Sequence, residues 1–149
     1  MLVGLDDRGQ VRDLYFPYVG EANHVSGNHV HRIGVFAEGE MSWLDSPDWK
    51  VSINAKEDTS IGSLFAENMK LGITLSSRDA VHNEKDIFLR HFTIQNHRSD
   101  ARTIKLFLAQ QFRIYESRRG DTGFYHPRVK AIVHYKGDAT FLINARVGK

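Results

Sequence analysis

The segment Ile87-Phe88-Leu89-Arg90-His91-Phe92-Thr93-Ile94-Gln95, with residues 102–114 that follow it, carries the clearest signal for the fold. In residues 102–114, apolar side chains occupy alternate positions: Ile104, Leu106, Leu108 and Phe112. A period of two is typical of a β-strand. Phe107 and Ala109 make the second face partly apolar as well, which indicates a strand inside a sandwich. The two arms, joined by residues 96–101, are predicted to form a hairpin.

The same alternation, interrupted by short turn signals, runs along most of the chain. Further strands are predicted at residues 2–5, 11–16, 29–37, 41–44, 49–54, 61–68, 70–76, 129–135 and 139–145. Asp6-Asp7-Arg8-Gly9 and Lys136-Gly137-Asp138 have the chemistry of tight turns and predict two hairpins. Strands without a helical crossover favour antiparallel sheets, and two stacked sheets bury their apolar faces economically. The fold class is therefore predicted as an all-β antiparallel β-sandwich.

Composition limits the number of domains and the chemistry. A chain of 149 residues with 41% hydrophobic content is sized for a single domain, residues 1–149. The absence of cysteine excludes disulfides, thiolate metal sites and a cysteine nucleophile, and favours a cytoplasmic location. The start of the chain becomes acidic at Asp6 and Asp7, too early for a signal peptide, and no apolar run reaches membrane-span length. No membrane partner is expected.

Charge is distributed unevenly along the chain. Residues 1–97 hold 9 Lys and Arg against 14 Asp and Glu, whereas residues 98–149 hold 11 against 4. The basic residues are spread singly through strand-like segments and accompany no nucleic-acid-binding motif. We therefore expect no nucleic-acid partner.

Three histidines offer a possible metal site. His29 and His31 are two positions apart on a predicted strand and therefore share a face, and His24 lies upstream. One alternative function is accordingly a metal-dependent, cupin-like β-barrel enzyme. The first downstream carboxylate, Glu38, follows His31 by seven positions, which is too far for the cupin pattern. We expect no metal and no cofactor.

An aromatic stretch opens the long loop predicted at residues 17–28. Flat apolar side chains and polar donors together are typical of surfaces that bind sugars. The candidate substrate-border residues are Tyr15, Phe16, Tyr18, Asn23 and His24. The acidic pairs of the chain lie in turn-like segments, where Asp closes bends, so no catalytic residue is assigned.

Several sequence words resemble the opening of prokaryotic glucoamylase-like and glucodextranase-like enzymes of glycoside hydrolase family 15. They occur in the family's order and span most of the chain. The words are Leu2-Val3-Gly4-Leu5-Asp6-Asp7-Arg8-Gly9, Val11-Arg12-Asp13-Leu14-Tyr15-Phe16-Pro17-Tyr18-Val19-Gly20, Asn23-His24-Val25, His31-Arg32-Ile33-Gly34-Val35, Ser42-Trp43-Leu44-Asp45, Phe88-Leu89-Arg90, Gly120-Asp121-Thr122-Gly123-Phe124-Tyr125-His126-Pro127 and Ile132-Val133-His134-Tyr135-Lys136-Gly137.

The resemblance implies a galactose mutarotase-like supersandwich, of which this chain would be an incomplete portion, packed against an (α/α)6 barrel that hydrolyses α-glucosides with inversion. In that family the general acid and base are glutamates of the barrel, so this chain alone is expected to be inactive. Its expected partners are the C-terminal catalytic domain and, through it, an α-glucan oligosaccharide. An isolated portion with uncovered faces is expected to form a homo-oligomer. An independent carbohydrate-binding module remains an alternative function.

Overall fold

Twelve strands and one short 3-10 helix lie within the residues that the computed structural model describes, 1–28, 30–57, 59–117 and 119–148. The all-β prediction is confirmed. The strands are β1 (Leu2–Leu5), β2 (Val11–Tyr15), β3 (Arg32–Ala37), β4 (Glu40–Trp43), β5 (Lys50–Ala55), β6 (Gly62–Asn68), β7 (Ile73–Val81), β8 (Phe88–Asn96), β9 (Ile104–Ala109), β10 (Thr122–His126), β11 (Ala131–Lys136) and β12 (Ala139–Ile143), with the 3-10 helix at Ile114–Glu116. No helix within these residues has the length and apolar character needed to cross a membrane.

Two antiparallel sheets share the main hydrophobic core. One has the strand order β5-β6-β7-β8 and the other the order β4-β3-β9. Alternate residues of β3 and β7 point into the space between the sheets, among them Ile33, Val35, Ile73 and Leu75, all nearly inaccessible to solvent. The period-two pattern thus places one apolar face of each sheet against the other, and the sandwich-like arrangement predicted from the sequence is confirmed.

Two smaller sheets, β1-β2 and β10-β11-β12, accompany a second hydrophobic cluster. Its buried residues are Val11, Leu14 and Val25, and half-buried aromatic side chains from the loop after β2 and from β12 pack against them. The backbone of Val11 also exchanges two hydrogen bonds with that of His31, at 3.1 and 3.3 Å. This bridge ties the first hairpin to the chain immediately before β3.

The hairpin predicted from residues 87–95 and 102–114 is wrong, although both arms are strands. β8 pairs with β7 and β9 pairs with β3, so the two arms belong to opposite sheets. The connection crosses from one sheet to the other at one end of the sandwich. Arg98 and Arg102 anchor it there by donating to the Glu38 carboxylate in the β3–β4 turn. Period two predicts the strands but does not encode which strand lies beside which.

The other two predicted hairpins, β1-β2 and β11-β12, are confirmed. In the first turn, Asp6 Oδ1 accepts from the backbone N–H groups of Arg8 and Gln10, both at 2.9 Å. Gly9 follows with φ at +72° and lies so close to Leu64 that a Cβ would be 2.1 Å from its Cδ1. The residues of the turn themselves favour its conformation, and the turn also packs against the main core. β10 was not among the predicted strands.

One buried ion pair links the main core to the first hairpin. Arg90 on β8 donates from Nε and an NH2 nitrogen to the two carboxylate oxygens of Asp79 on β7, at 3.1 and 2.7 Å. The same NH2 nitrogen donates to the carbonyl oxygen of Gly9 at 2.8 Å, and Ser77 donates to the Asp79 carboxylate. Both charged side chains are almost fully buried. Each charge thus depends on the other for compensation.

The Asp79→Ala variant should lose about 3–5 kcal/mol of unfolding free energy, because it leaves the Arg90 guanidinium buried without its counter-charge. Urea unfolding followed by tryptophan fluorescence measures the loss. The Glu40→Ala variant is the control, since it breaks an ion pair with Lys70 in which both side chains are more than half exposed. It should cost less than about 1 kcal/mol. Equal losses in the two variants would contradict the role assigned to Asp79.

Candidate functional site

The loop between β2 and β3 contains the candidate substrate-border residues, and its base is fixed by Asn23. The Asn23 Oδ1 atom accepts from the backbone N–H groups of Leu14 and Val25, both at 3.0 Å. Its Nδ2 atom donates to Asp13 Oδ1 at 2.6 Å, and its backbone N–H donates to Glu116 Oε1 at 3.1 Å. Asn23 is buried, and its side-chain polar atoms are occupied within the protein. This residue holds the loop rather than presenting an amide to a ligand.

His24 is fully buried and has partners on both ring nitrogens. Its Nε2 lies 3.1 Å from the carbonyl oxygen of Phe16, and its Nδ1 accepts from the backbone N–H of Tyr115 at 3.3 Å. A carbonyl oxygen only accepts, so the proton of the neutral ring is on Nε2. The ring also lies 5.0 Å from that of Phe141. His24 therefore joins the loop to the 3-10 helix and to β12.

The structure separates the five candidate residues into a buried base and an exposed tip. Tyr15 and Phe16 are half-buried, and Tyr15 forms an isolated bridge with Asn23. Tyr18 alone points outward, with 71% of its surface exposed, at a turn closed by a hydrogen bond from the Glu21 N–H to its carbonyl oxygen. A ligand or partner that meets this loop from solvent would contact Tyr18, while the other four residues support it from below.

The segment that contacts this loop, residues 113–116, was not predicted as part of the site from the sequence. Arg113 donates its backbone N–H to the His24 carbonyl, and Tyr115 and Glu116 bond to His24 and Asn23. Tyr115 and Glu116 have φ values of +56° and +55°, which are unusual for residues other than glycine. No sequence signal marks this contact, because the two segments are about 90 positions apart.

Two of the three candidate metal ligands, His24 and His31, lie within the described residues and are engaged in other contacts there. His24 has both ring nitrogens occupied, His31 packs edge-on against the Phe112 ring at 4.7 Å, and His29 lies outside the described residues. Among the residues that are described, no group of three or more His, Asp or Glu side chains could hold a metal ion. The geometry thus gives the cupin-like alternative no support.

His31 is a buried histidine that stays neutral. Burial, together with the smaller effects of the Arg90 and His134 charges, lowers its pKa from 6.5 to about 3. A folded-state pKa below the unfolded value means that the unfolded chain binds more protons between these two values. This side chain therefore makes the fold less stable as the pH falls from 6.5 toward 3.

The outer face of the β10-β11-β12 sheet is largely apolar, and none of the described residues covers it. Phe124, Val133 and Leu142 are cross-strand partners in one row and share that face, with Tyr135 beside them. Phe124 and Leu142 are 45% and 61% exposed. On the opposite face, the rings of His134 and Phe141 pack against Phe112, with centroids 4.7 and 4.9 Å away. The sheet therefore has apolar side chains on both faces but a packed layer on only one.

The His31→Gln variant should flatten the pH dependence of stability between pH 6.5 and 3, because it removes a group that is protonated only on unfolding. The wild type should lose up to about 1.4 kcal/mol more per pH unit in this window. Urea unfolding at a series of pH values measures the slope. The His91→Gln variant removes an exposed histidine of β8 and should keep the wild-type slope. An unchanged slope in His31→Gln would show that this imidazole is not excluded from protonation in the fold.

The Asn23→Ala variant should lose about 1–3 kcal/mol, because two buried backbone N–H groups lose their acceptor. Tyr18→Ala removes a larger side chain at the exposed tip and should change stability by less than about 0.5 kcal/mol. Thermal unfolding of both variants beside the wild type makes the comparison. A larger loss in Tyr18→Ala would refute the division of the loop into a structural base and a free tip.

The chain matches no protein-family model, no curated protein and no solved structure.

Proposed function

We propose that the chain is a non-catalytic β-sandwich domain that supports and borders the (α/α)6 catalytic barrel of an α-glucan-hydrolysing glycosidase. The observation that carries the proposal is the uncovered apolar outer face of the β10-β11-β12 sheet. Apolar patches of this kind on folded domains mark surfaces that another protein layer covers. The proposed occupant is the catalytic barrel, in keeping with the family-15 sequence words.

The residues of this face favour docking over exposure to water. Leu142, Phe124 and Tyr135 project from three adjacent strands around the buried Val133, so their apolar surface is continuous across the sheet. Aromatic and aliphatic side chains grouped around a buried centre are typical of the energetically dominant part of an interface. A sheet with two apolar faces is stable when a layer covers each of them.

The aromatic loop belongs to the same part of the molecule. Phe16 packs edge-on against Phe141 of β12, with ring centroids 5.7 Å apart. The base of the loop is thus built on the sheet whose other face is uncovered. Tyr18 is the exposed tip of this loop, and we propose that it borders the substrate of the complete enzyme, since loops held on a β scaffold often carry function.

The apolar outer face of the β10-β11-β12 sheet is called the docking face below. In the isolated chain, a second copy of the chain can cover this docking face. β10 and β12 are the outer strands of their sheet, so each has one unpaired edge in addition to the apolar face. Unpaired edges and apolar faces together favour self-association. We therefore propose a homo-oligomer for the isolated chain.

Substituting Leu142 tests the docking face, with Leu89 as a matched control. Leu89 lies on the outer face of β8 and is 55% exposed, close to the 61% of Leu142. In light scattering after size-exclusion chromatography, the wild type and Leu89→Lys should be oligomeric, whereas Leu142→Lys should be monomeric. A monomeric wild type, or equal behaviour of the two variants, would refute self-association through this face.

The complete enzyme tests the function itself. The reading frame beyond Lys149 should encode an α-helical barrel with catalytic glutamates, and the enzyme should unfold in one thermal transition. Leu142→Lys should separate the unfolding of the two domains, while Leu89→Lys should leave it single. The isolated chain should not hydrolyse maltotetraose. A frame that ends without a barrel, or turnover that scales with the isolated chain, would overturn the proposal.

A further inference from the structure

The end of the β10-β11-β12 sheet that carries the β10–β11 turn projects into solvent. Residues 127–130, which form this turn, are all exposed. Close to the turn, Phe124 and Leu142 are exposed on the docking face. On the opposite face, Tyr125 and its cross-strand partner Ile132 are 61% and 43% exposed. Because both faces of the sheet are accessible here, the end of the hairpin extends past the packed part of the domain.

Three cations lie at this projecting end. Arg128 and Lys130 belong to the turn itself. Asn144 donates from Nδ2 to the carbonyl oxygen of Lys130 at 3.1 Å, which brings the chain after β12, with Arg146, to the same end of the sheet. All three cations are exposed, and none of them forms an ion pair with another described residue.

The carboxylates of this part of the chain lie at the opposite end of the sheet. Asp121 directly precedes β10 and Asp138 is in the β11–β12 turn, which the length of β11 separates from the cations. At about 3.3 Å per residue, that separation is about 16 Å. Asp121 lies 3.7 Å from Lys136 Nζ, and Asp138 accepts from the Tyr115 hydroxyl. The positive charge at the β10–β11 turn is therefore not balanced within the sheet.

Apolar side chains stand among these cations. Val129, between Arg128 and Lys130, is 46% exposed, and Tyr125 and Ile132 lie on the two strands next to the turn. This combination is typical of proteins that bind the surface of an anionic membrane. The apolar side chains enter the interfacial layer, while Lys and Arg reach the lipid phosphates with their charged ends. A tyrosine suits the boundary between the two regions.

The shape of this end favours a lipid surface over a nucleic acid. Single strands bind in grooves whose aromatic side chains stack on successive bases. The hairpin end is convex instead, and the side chains beside its cations, Val129 and Ile132, are aliphatic. A bilayer meets a convex tip without a groove, and its interface accepts aliphatic side chains.

From these features we propose that the projecting end of the β10–β11 hairpin binds the surface of an anionic phospholipid membrane. Val129 and Tyr125 enter the interfacial layer, and Arg128, Lys130 and Arg146 pair with lipid phosphates. Such peripheral binding needs no long apolar run in the sequence, because the fold brings these side chains together. The site uses the turn and the face opposite the docking face. Membrane binding can therefore fail while docking holds, and the reverse.

Sedimentation of the chain with phospholipid vesicles tests the site. Vesicles of phosphatidylcholine with about 30% phosphatidylglycerol should bind half of the chain at about 0.1–1 mM lipid, and pure phosphatidylcholine should bind at least about tenfold more weakly. Sodium chloride at about 0.5 M should remove most of the binding, because it screens exposed charges. Lys130→Glu and Val129→Asp should each weaken binding to the anionic vesicles at least about tenfold.

The matched control is Lys56→Glu, which makes the same charge change at an exposed lysine between β5 and β6 and should bind like the wild type. Arg128→Glu replaces Lys130→Glu should that variant fail to fold. The absence of binding to anionic vesicles at about 5 mM lipid would overturn the proposal, as would equal weakening by Lys56→Glu and Lys130→Glu. Tighter binding to a single-stranded oligonucleotide than to the vesicles, lost in Lys130→Glu, would assign the surface to nucleic acid and overturn it too.

Discussion

The ion pair between Asp79 and Arg90 is the interaction on which the arrangement of the two cores depends. Its groups come from adjacent strands of the main sandwich, and the guanidinium also reaches the carbonyl of Gly9 in the first hairpin. Phe88 and Phe92 lie on β8 on either side of Arg90, with ring centroids 5.5 and 5.2 Å from its guanidinium carbon. A buried charge of this kind is stable only in one geometry, so it fixes the hairpin relative to the sandwich.

The buried charge of Arg90 also affects the protonation of a nearby histidine. His31, on the strand-like segment that pairs with Val11, has its pKa lowered by burial and by the nearby Arg90 and His134. It is neutral and packs against Phe112, which also contacts Phe141. A row of neutral rings therefore connects the hairpin to the β10-β11-β12 sheet. The Arg90 charge and the packing of the aromatic rings therefore both contribute where the first hairpin meets the β10-β11-β12 sheet.

Two buried asparagines, Asn23 and Asn68, differ in how many of their side-chain polar atoms form hydrogen bonds. Asn23 makes hydrogen bonds with both side-chain polar atoms and serves only to hold the loop. Asn68 accepts from the Leu71 N–H through its side-chain oxygen, and its Nδ2 atom is buried without a partner among the described residues. The apolar face around Val133, with Phe124 and Leu142 exposed, is a separate feature of the surface.

The sequence by itself determined all of the strands except β10, the sandwich class and the two hairpins with tight turns, because alternation and turn chemistry act between residues that are close in the chain. Only the tertiary structure decided that β8 and β9 lie in opposite sheets, since strand pairing depends on packing between distant segments. Only the tertiary structure showed that His24 has a structural role, because the sequence does not reveal whether the ring nitrogens of a histidine face solvent or form hydrogen bonds inside the protein. The sequence also does not show the cleft of about 420 Å³ beside β4, because Arg32, Asp48 and Asn68 line it only when three separate segments fold together.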